Sequence, residues 1–187
     1  IRMRVALAQS KNLASIRILQ AIGPRYAQDY ITRFGFDSNR HPPFLPMALG
    51  AGSVTPMQMA VGYAAFANGG FRIHPYFIDR IEDDQGRILD HARPIVAGKN
   101  AKQVIDPRNA FLMTSMMQDV IQRGTATSAK RLGRNDIAGK TGTTSNFIDA
   151  WFCGFQKDLV TITWAGFDEP RTLGRNETGG RVTLPIW

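Results

Sequence analysis

The 187-residue chain is 43% hydrophobic and 20% charged, an ordinary globular composition with enough apolar material for one core. Its net charge is +8, but the basic residues are scattered in runs no longer than two (Lys130, Arg131). With neither zinc-finger spacing nor an RNA-binding signature, the charge reads as a solvated basic surface and no nucleic-acid partner is expected. The single cysteine, Cys153, excludes an internal disulfide, and the longest apolar run, Met59 to Ala67, is far short of the ~20 residues that cross a membrane.

Ile1 to Gln9 and Leu13 to Ile22 read as two helical stretches broken at Ser10-Lys11-Asn12. Because helix is under way from the first residue, and an apolar run (Leu184 to Trp187) heads into a core, the chain is expected to be a fragment of a longer protein. Gly23-Pro24 ends the second helix, and Tyr26 to Phe34 makes a third, closed by Gly35. A Pro-rich loop follows. Thr55 to Asn68 has strong punctuation: Thr55 as N-cap, Pro56 at the first helical position and Gln58 completing a capping box. This helix is apolar nearly all round and is expected to be buried.

Tyr76 to Ile81 and Arg87 to Leu89 read as a hairpin around Asp83-Asp84-Gln85-Gly86. Asp106 and Pro107 start a long helix that ends at Gly124, with Phe111, Leu112, Met116, Val120 and Ile121 as its expected core face. Three short strands follow: Ile137 to Thr143, Ala150 to Phe155 and Leu159 to Phe167. Cys153 falls in the second and is expected to be buried packing. Helices first and strands last predict an α+β fold with an antiparallel sheet flanked by helices.

Two short motifs carry chemistry. Lys140-Thr141-Gly142 is one of the motifs of penicillin-binding proteins and class A β-lactamases, where it accompanies Ser-Xaa-Xaa-Lys and Ser-Asp-Asn. Ser10-Lys11-Asn12 fits a looser Ser-Xaa-Asn. Taken singly, Lys140 could be a solvated lysine beside a turn, and Ser10 or Asn12 a helix cap. Their order and surroundings say more. The stretches Ser10 to Arg17, Gly50 to Ala60, Gly124-Thr125-Ala126, Ala138 to Thr144, Asp149 to Phe152 and Gly166-Phe167-Asp168 resemble successive segments of penicillin-binding proteins. Gly174-Arg175, Thr178-Gly179-Gly180 and Leu184 to Trp187 resemble the class A, bifunctional branch. The resemblance covers nearly the whole chain and is least specific at the Tyr76 to Leu89 hairpin.

The resemblance implies the penicillin-binding transpeptidase fold and D,D-transpeptidase chemistry. A serine attacks the penultimate carbonyl of a D-alanyl-D-alanine stem peptide of peptidoglycan, and β-lactam antibiotics stall the enzyme as an acyl-serine. It implies candidate catalytic residues Ser10, Asn12 and Lys140, and substrate-binding residues Thr141, Gly142 and Thr143. Lys140 and the two threonine hydroxyls would take the substrate carboxylate, and Gly142 would leave room for a peptide along the strand. The backbone N–H of Thr143 would form half of an oxyanion hole. Ser10 would relay a proton to the leaving amine, and Asn12 would orient the substrate amide.

No serine has a lysine three residues on, and the resemblance, in which the nucleophile lies before Ser-Xaa-Asn, implies that it belongs to a segment upstream. Residues 1–187 are then the C-terminal part of a transpeptidase domain. Its partners would be the rest of that domain, stem peptides and β-lactams, with the membrane reached only through an N-terminal anchor, at the periplasmic face of the bacterial inner membrane. No cofactor is needed, and His41, His74 and His91 show no metal-ligand spacing. A class B penicillin-binding protein, a serine β-lactamase and a non-catalytic β-lactam sensor or peptidoglycan-binding module of the same fold are the competing readings.

Overall fold

The computed structural model describes residues 1–187. Three helices open it: α1 (Met3–Ala8), α2 (Asn12–Ile22) and α3 (Pro24–Ile31). Gly23, at φ +90°, joins the last two, a backbone geometry that side chains rarely adopt. The expected third helix is tighter than α throughout its last turn: Thr32–Phe34 is a 3-10 turn, closed by Gly35. The loop that follows holds two more 3-10 turns before α4 (Pro56–Ala67). Both halves of the α4 capping box form. The Gln58 N–H donates to Thr55 Oγ1 at 3.1 Å, and the Thr55 N–H donates to Gln58 Oε1 at 2.9 Å.

Two thin ribbons come next. Strand β1 (Phe71–Arg72) pairs antiparallel with a later strand, and β2 (Arg80–Glu82) pairs with β3 (Ile88–His91). The partner of β1 is β4 (Lys102–Gln103), a pairing that the sequence does not announce. The hairpin is shorter and shifted from its expected limits. Tyr76 to Ile78 lie outside it, and the register slips between Ile81 and Glu82. Its turn is fixed by Asp83, whose Oδ1 accepts from the N–H groups of Gln85 and Arg87 at 2.9 and 2.8 Å.

Helix α5 (Pro107–Arg123) is the spine of the molecule. It buries Ala110 in a cluster with Phe34, Ala65, Val104 and Ile105. Met117 joins Ala138 and Phe155, and Val120 and Ile121 join Ile137, Phe152 and Leu184. The predicted core face is rotated. Phe111 is 72% exposed and Leu112 52% exposed. At ~100° per residue, nine positions put Phe111 half a turn from Val120 and Leu112 half a turn from Ile121, so all four cannot face one core. Met113 packs against the Met117 cluster.

A three-stranded antiparallel sheet completes the fold: β5 (Ala138–Thr143), β6 (Ala150–Gln156) and β7 (Leu159–Ala165), in that spatial order. Register pairs Lys140 with Cys153 and Gly142 with Trp151. A short helix, α6 (Thr183–Ile186), closes the chain over the sheet. Leu184 is buried and Trp187 packs edge-on against Phe152 at 5.2 Å, while Ile186 points outward. Helix α4 packs on β6, β7 and α5. It is less enclosed than its composition predicts. Gly62, Ala64 and Ala65 are buried, Met57 is exposed, and Met59 and Tyr63 line a cavity.

Candidate active site

Ser10 stands at the sharp turn between α1 and α2, with φ +52°. Left-handed backbone is unfavourable for a residue with a Cβ, and such strain persists only where surrounding contacts enforce it. Here the Ser10 N–H donates to Leu7 O and the Lys11 N–H to Ala6 O, which lock the turn onto α1. The cap of α2 is Lys11 and carries no side-chain cap bond. Helix capping therefore does not explain Ser10 or Asn12.

The turn is carried to the sheet by α5. The Arg4 guanidinium donates to Ser115 O at 2.9 Å and pairs with Asp119 at 3.0 Å, and Asp119 also pairs with Arg123. Burial works against the Asp119 carboxylate, but hydrogen bonds from Arg123 and Arg4 outweigh it and hold its pKa below the usual range. The Thr125 N–H donates to Ala8 O at 3.1 Å, and a Cβ on Gly124 would stand 2.2 Å from that same oxygen. The end of α5 therefore touches the helix end that precedes Ser10.

The result joins residues 130 positions apart. The Lys140 ammonium donates to Ser10 Oγ at 2.8 Å and to Thr141 O at 2.8 Å. Lys140 is half-buried and takes part in no ion pair. Desolvation pulls its pKa down to about 8, partly countered by the Cys153 thiol across the ladder. Cys153 is buried and its pKa is pushed up to about 12, chiefly by that burial. Tyr63, from α4, is pushed above the ordinary phenol range for the same reason. These three residues, with Met59, Gly142 and Trp151, line an open cavity of about 590 Å³.

Strand β5 is an edge strand, paired only with β6. Thr141 and Thr143 lie on it. The Thr141 hydroxyl is 2.5 Å from that of Thr125, and Thr143 Oγ1 accepts from the Gly179 N–H at 3.1 Å. A Cβ on Gly142 would press on the Trp151 Cβ at 3.2 Å, so the cross-strand tryptophan is one reason for glycine there. Asn12 is exposed two residues beyond Ser10 and makes no side-chain hydrogen bond with the strand. Of the six expected residues, Ser10 and Lys140 meet, Thr141, Gly142 and Thr143 follow Lys140 on the same strand, and Asn12 stays at the periphery. Thr125, Cys153 and Gly179 were not singled out from sequence as site residues. All three reach the strand through long-range packing.

A family model described as the penicillin binding protein transpeptidase domain matches residues 1–169. The chain belongs to the penicillin-binding protein transpeptidase family. Among relatives, Penicillin-binding protein 1A of Neisseria flavescens is 54% identical over 187 residues, spanning all of this chain and 23% of that protein. Penicillin-binding protein 1A of Pseudomonas aeruginosa is 42% identical over 232 residues, covering 100% of this chain and 28% of that protein. The crystal structure of Penicillin-Binding Protein 1A from Haemophilus influenzae superposes with a TM-score of 0.95 at 37% identity. It covers this chain completely and 33% of its own length is matched. The PonA1 protein from Mycobacterium tuberculosis in complex with penicillin V superposes at 0.77 with 25% identity, over 100% of this chain and 54% of that one. The expected family and the α+β penicillin-binding transpeptidase fold are thus both found. The chain spans about a quarter of the length of the curated relatives it matches.

Proposed function

We propose that this chain forms the substrate-binding side of a D,D-transpeptidase that cross-links peptidoglycan stem peptides by serine acyl transfer, within a class A, bifunctional peptidoglycan synthase. The reading rests above all on the 2.8 Å bond between the Lys140 ammonium and Ser10 Oγ, beside an unpaired edge strand. An extended peptide can add to such an edge through its main chain. A terminal carboxylate would find an ammonium without an ion-pair partner, and at 4 Å and an effective dielectric of 20 such a pair gains about 4 kcal/mol before desolvation. β-Lactams would occupy the same place as mimics of the D-alanyl-D-alanine end.

The reaction assigns one task to each group. The hydroxyl of a serine outside these residues attacks the penultimate D-alanine carbonyl. The peptide C–N bond breaks, and the departing D-alanine amine takes a proton through Ser10. An acceptor amine of a neighbouring stem then attacks the acyl ester, forms the new amide and returns the serine hydroxyl. Lys140 keeps Ser10 in line and holds the substrate carboxylate. The Thr143 N–H serves with that of the serine as oxyanion hole, and Asn12 orients the substrate amide.

No helix is long and apolar enough to cross a membrane. Attachment at the periplasmic face of the inner membrane would therefore use another segment. The test is covalent labelling of the full-length protein with a fluorescent penicillin, read on a denaturing gel. The wild type labels, and Lys140→Ala lowers the acylation rate by roughly 10²–10³-fold, the range for loss of one charge-stabilising donor. The 187-residue chain by itself gives no band. Labelling of that chain alone, or full-rate labelling of Lys140→Ala, would sink the proposal.

A further inference from the structure

The two threonines of β5 differ in what the protein does with their hydroxyls. Thr141 and Thr125 share a 2.5 Å hydrogen bond in which either can be the donor, so one of their two protons is always spent inside the pair. Thr143 is otherwise placed. Its oxygen accepts from the Gly179 N–H, its own proton meets no protein acceptor, and the residue is exposed. A hydroxyl that already accepts from an amide keeps its O–H for another partner.

The Gly179 peptide is held from both sides. Its carbonyl accepts from the Leu184 N–H at 2.9 Å and from Thr183 Oγ1 at 2.9 Å, and Thr183 is fully buried. The turn that holds Gly179 is closed by bonds from the N–H groups of Arg181 and Val182 to Thr178 O. Position 179 admits no side chain. A Cβ would stand 2.2 Å from Trp151 O and 2.5 Å from Gly142 O, both backbone atoms of the sheet. Only glycine lets this turn lie flat enough on β5 and β6 for its N–H to reach Thr143.

We propose that Gly179 is a positioning residue whose N–H orients the Thr143 hydroxyl as the dedicated neutral donor to an anionic group bound beside Lys140. The turn from Thr178 to Gly180 then sets selectivity for a carboxylate from behind the strand, without touching the ligand. The inference rests on the acyl-transfer reading for the identity of that ligand.

The experiment compares second-order acylation rates of the full-length protein with benzylpenicillin and with its methyl ester, which lacks the anionic carboxylate. The wild type prefers the acid. In Gly179→Ala this preference falls by roughly 10-fold or more, the scale of one hydrogen bond to a charged group, while the ester rate changes less than about 3-fold on that scale. Thr143→Val gives the same fall, and adding Gly179→Ala to it causes no further loss of preference. Thr183→Val, which removes one of the two anchors of the Gly179 carbonyl, shifts the preference in the same direction by a smaller factor. It supplies the decisive reading should Gly179→Ala not fold. Equal loss of both rates, or an intact acid preference in both the Gly179 and Thr183 variants, would overturn the inference. A wild type that reacts with neither probe overturns the acyl-transfer reading itself, and this inference with it.

Discussion

The β5–β7 sheet and the β2–β3 hairpin are both antiparallel, yet they are held by different forces. Strand β6 buries Ala150, Phe152, Cys153, Gly154 and Phe155, with α5 and α6 against Phe152 and α4 and α5 against Phe155. All seven residues of β2 and β3 are exposed. Turn chemistry at Asp83 is enough to make a hairpin, but only packing on both faces fixes side chains to the accuracy that a 2.8 Å contact at Lys140 demands. The candidate site belongs to the packed region, and the hairpin does not reach it.

Three changes would break or sharpen this contrast. The largest is Phe152→Ala. Its ring is fully buried and packs against Trp187 and the α5 face. Loss should cost about 3–5 kcal/mol, measured by denaturant unfolding of the full-length protein. A cost below about 1 kcal/mol on that scale would show that the sheet is not the rigid part. Second is pH. With its ammonium drawn down to about 8, Lys140 loses its charge as pH rises through that value, so penicillin acylation should decline there. Stability runs the other way. The unfolded lysine, near its ordinary value of 10.5, binds more protons than the folded one between about 8 and 10.5, so folding gains with pH across that window. Lys140→Ala should abolish that gain, and an acylation profile flat to pH 10 would contradict the assignment. The smallest effect belongs to the hairpin. Ile88→Ala should change stability by less than about 0.5 kcal/mol and leave penicillin labelling unaltered. A drop in labelling would mean that the hairpin meets another part of the full-length protein.

Much of the architecture was legible because its signals are local. The Thr55–Gln58 box, the Asp106-Pro107 start and the three C-terminal strands each sit within one element, and all form. The α5 face was misjudged because Phe111 and Leu112 are apolar. Helical geometry, applied strictly to Val120 and Ile121, turns them outward. The β1–β4 pairing gave no warning, since two-residue strands thirty positions apart have no period to read. At the site, Ser10 and Lys140 were both singled out through family resemblance, not through periodicity. Gly179 and Thr125 were not singled out because their contacts with β5 depend on where a distant turn and a helix end come to rest.

The docking of α1 on α5 has a kinetic side. Closing a loop between Ser10 and Lys140, 130 positions apart, costs about 4 kcal/mol of chain entropy, more than any neighbouring-strand contact in the molecule must meet. The sequence-local contacts of the spine helix and the sheet hairpins carry a smaller closure cost than this union. Any loosening of α1 from α5 therefore acts at a distance on the Ser10–Lys140 contact, because the segment that carries Ser10 is held to α5 through Arg4, Ser115 and Asp119.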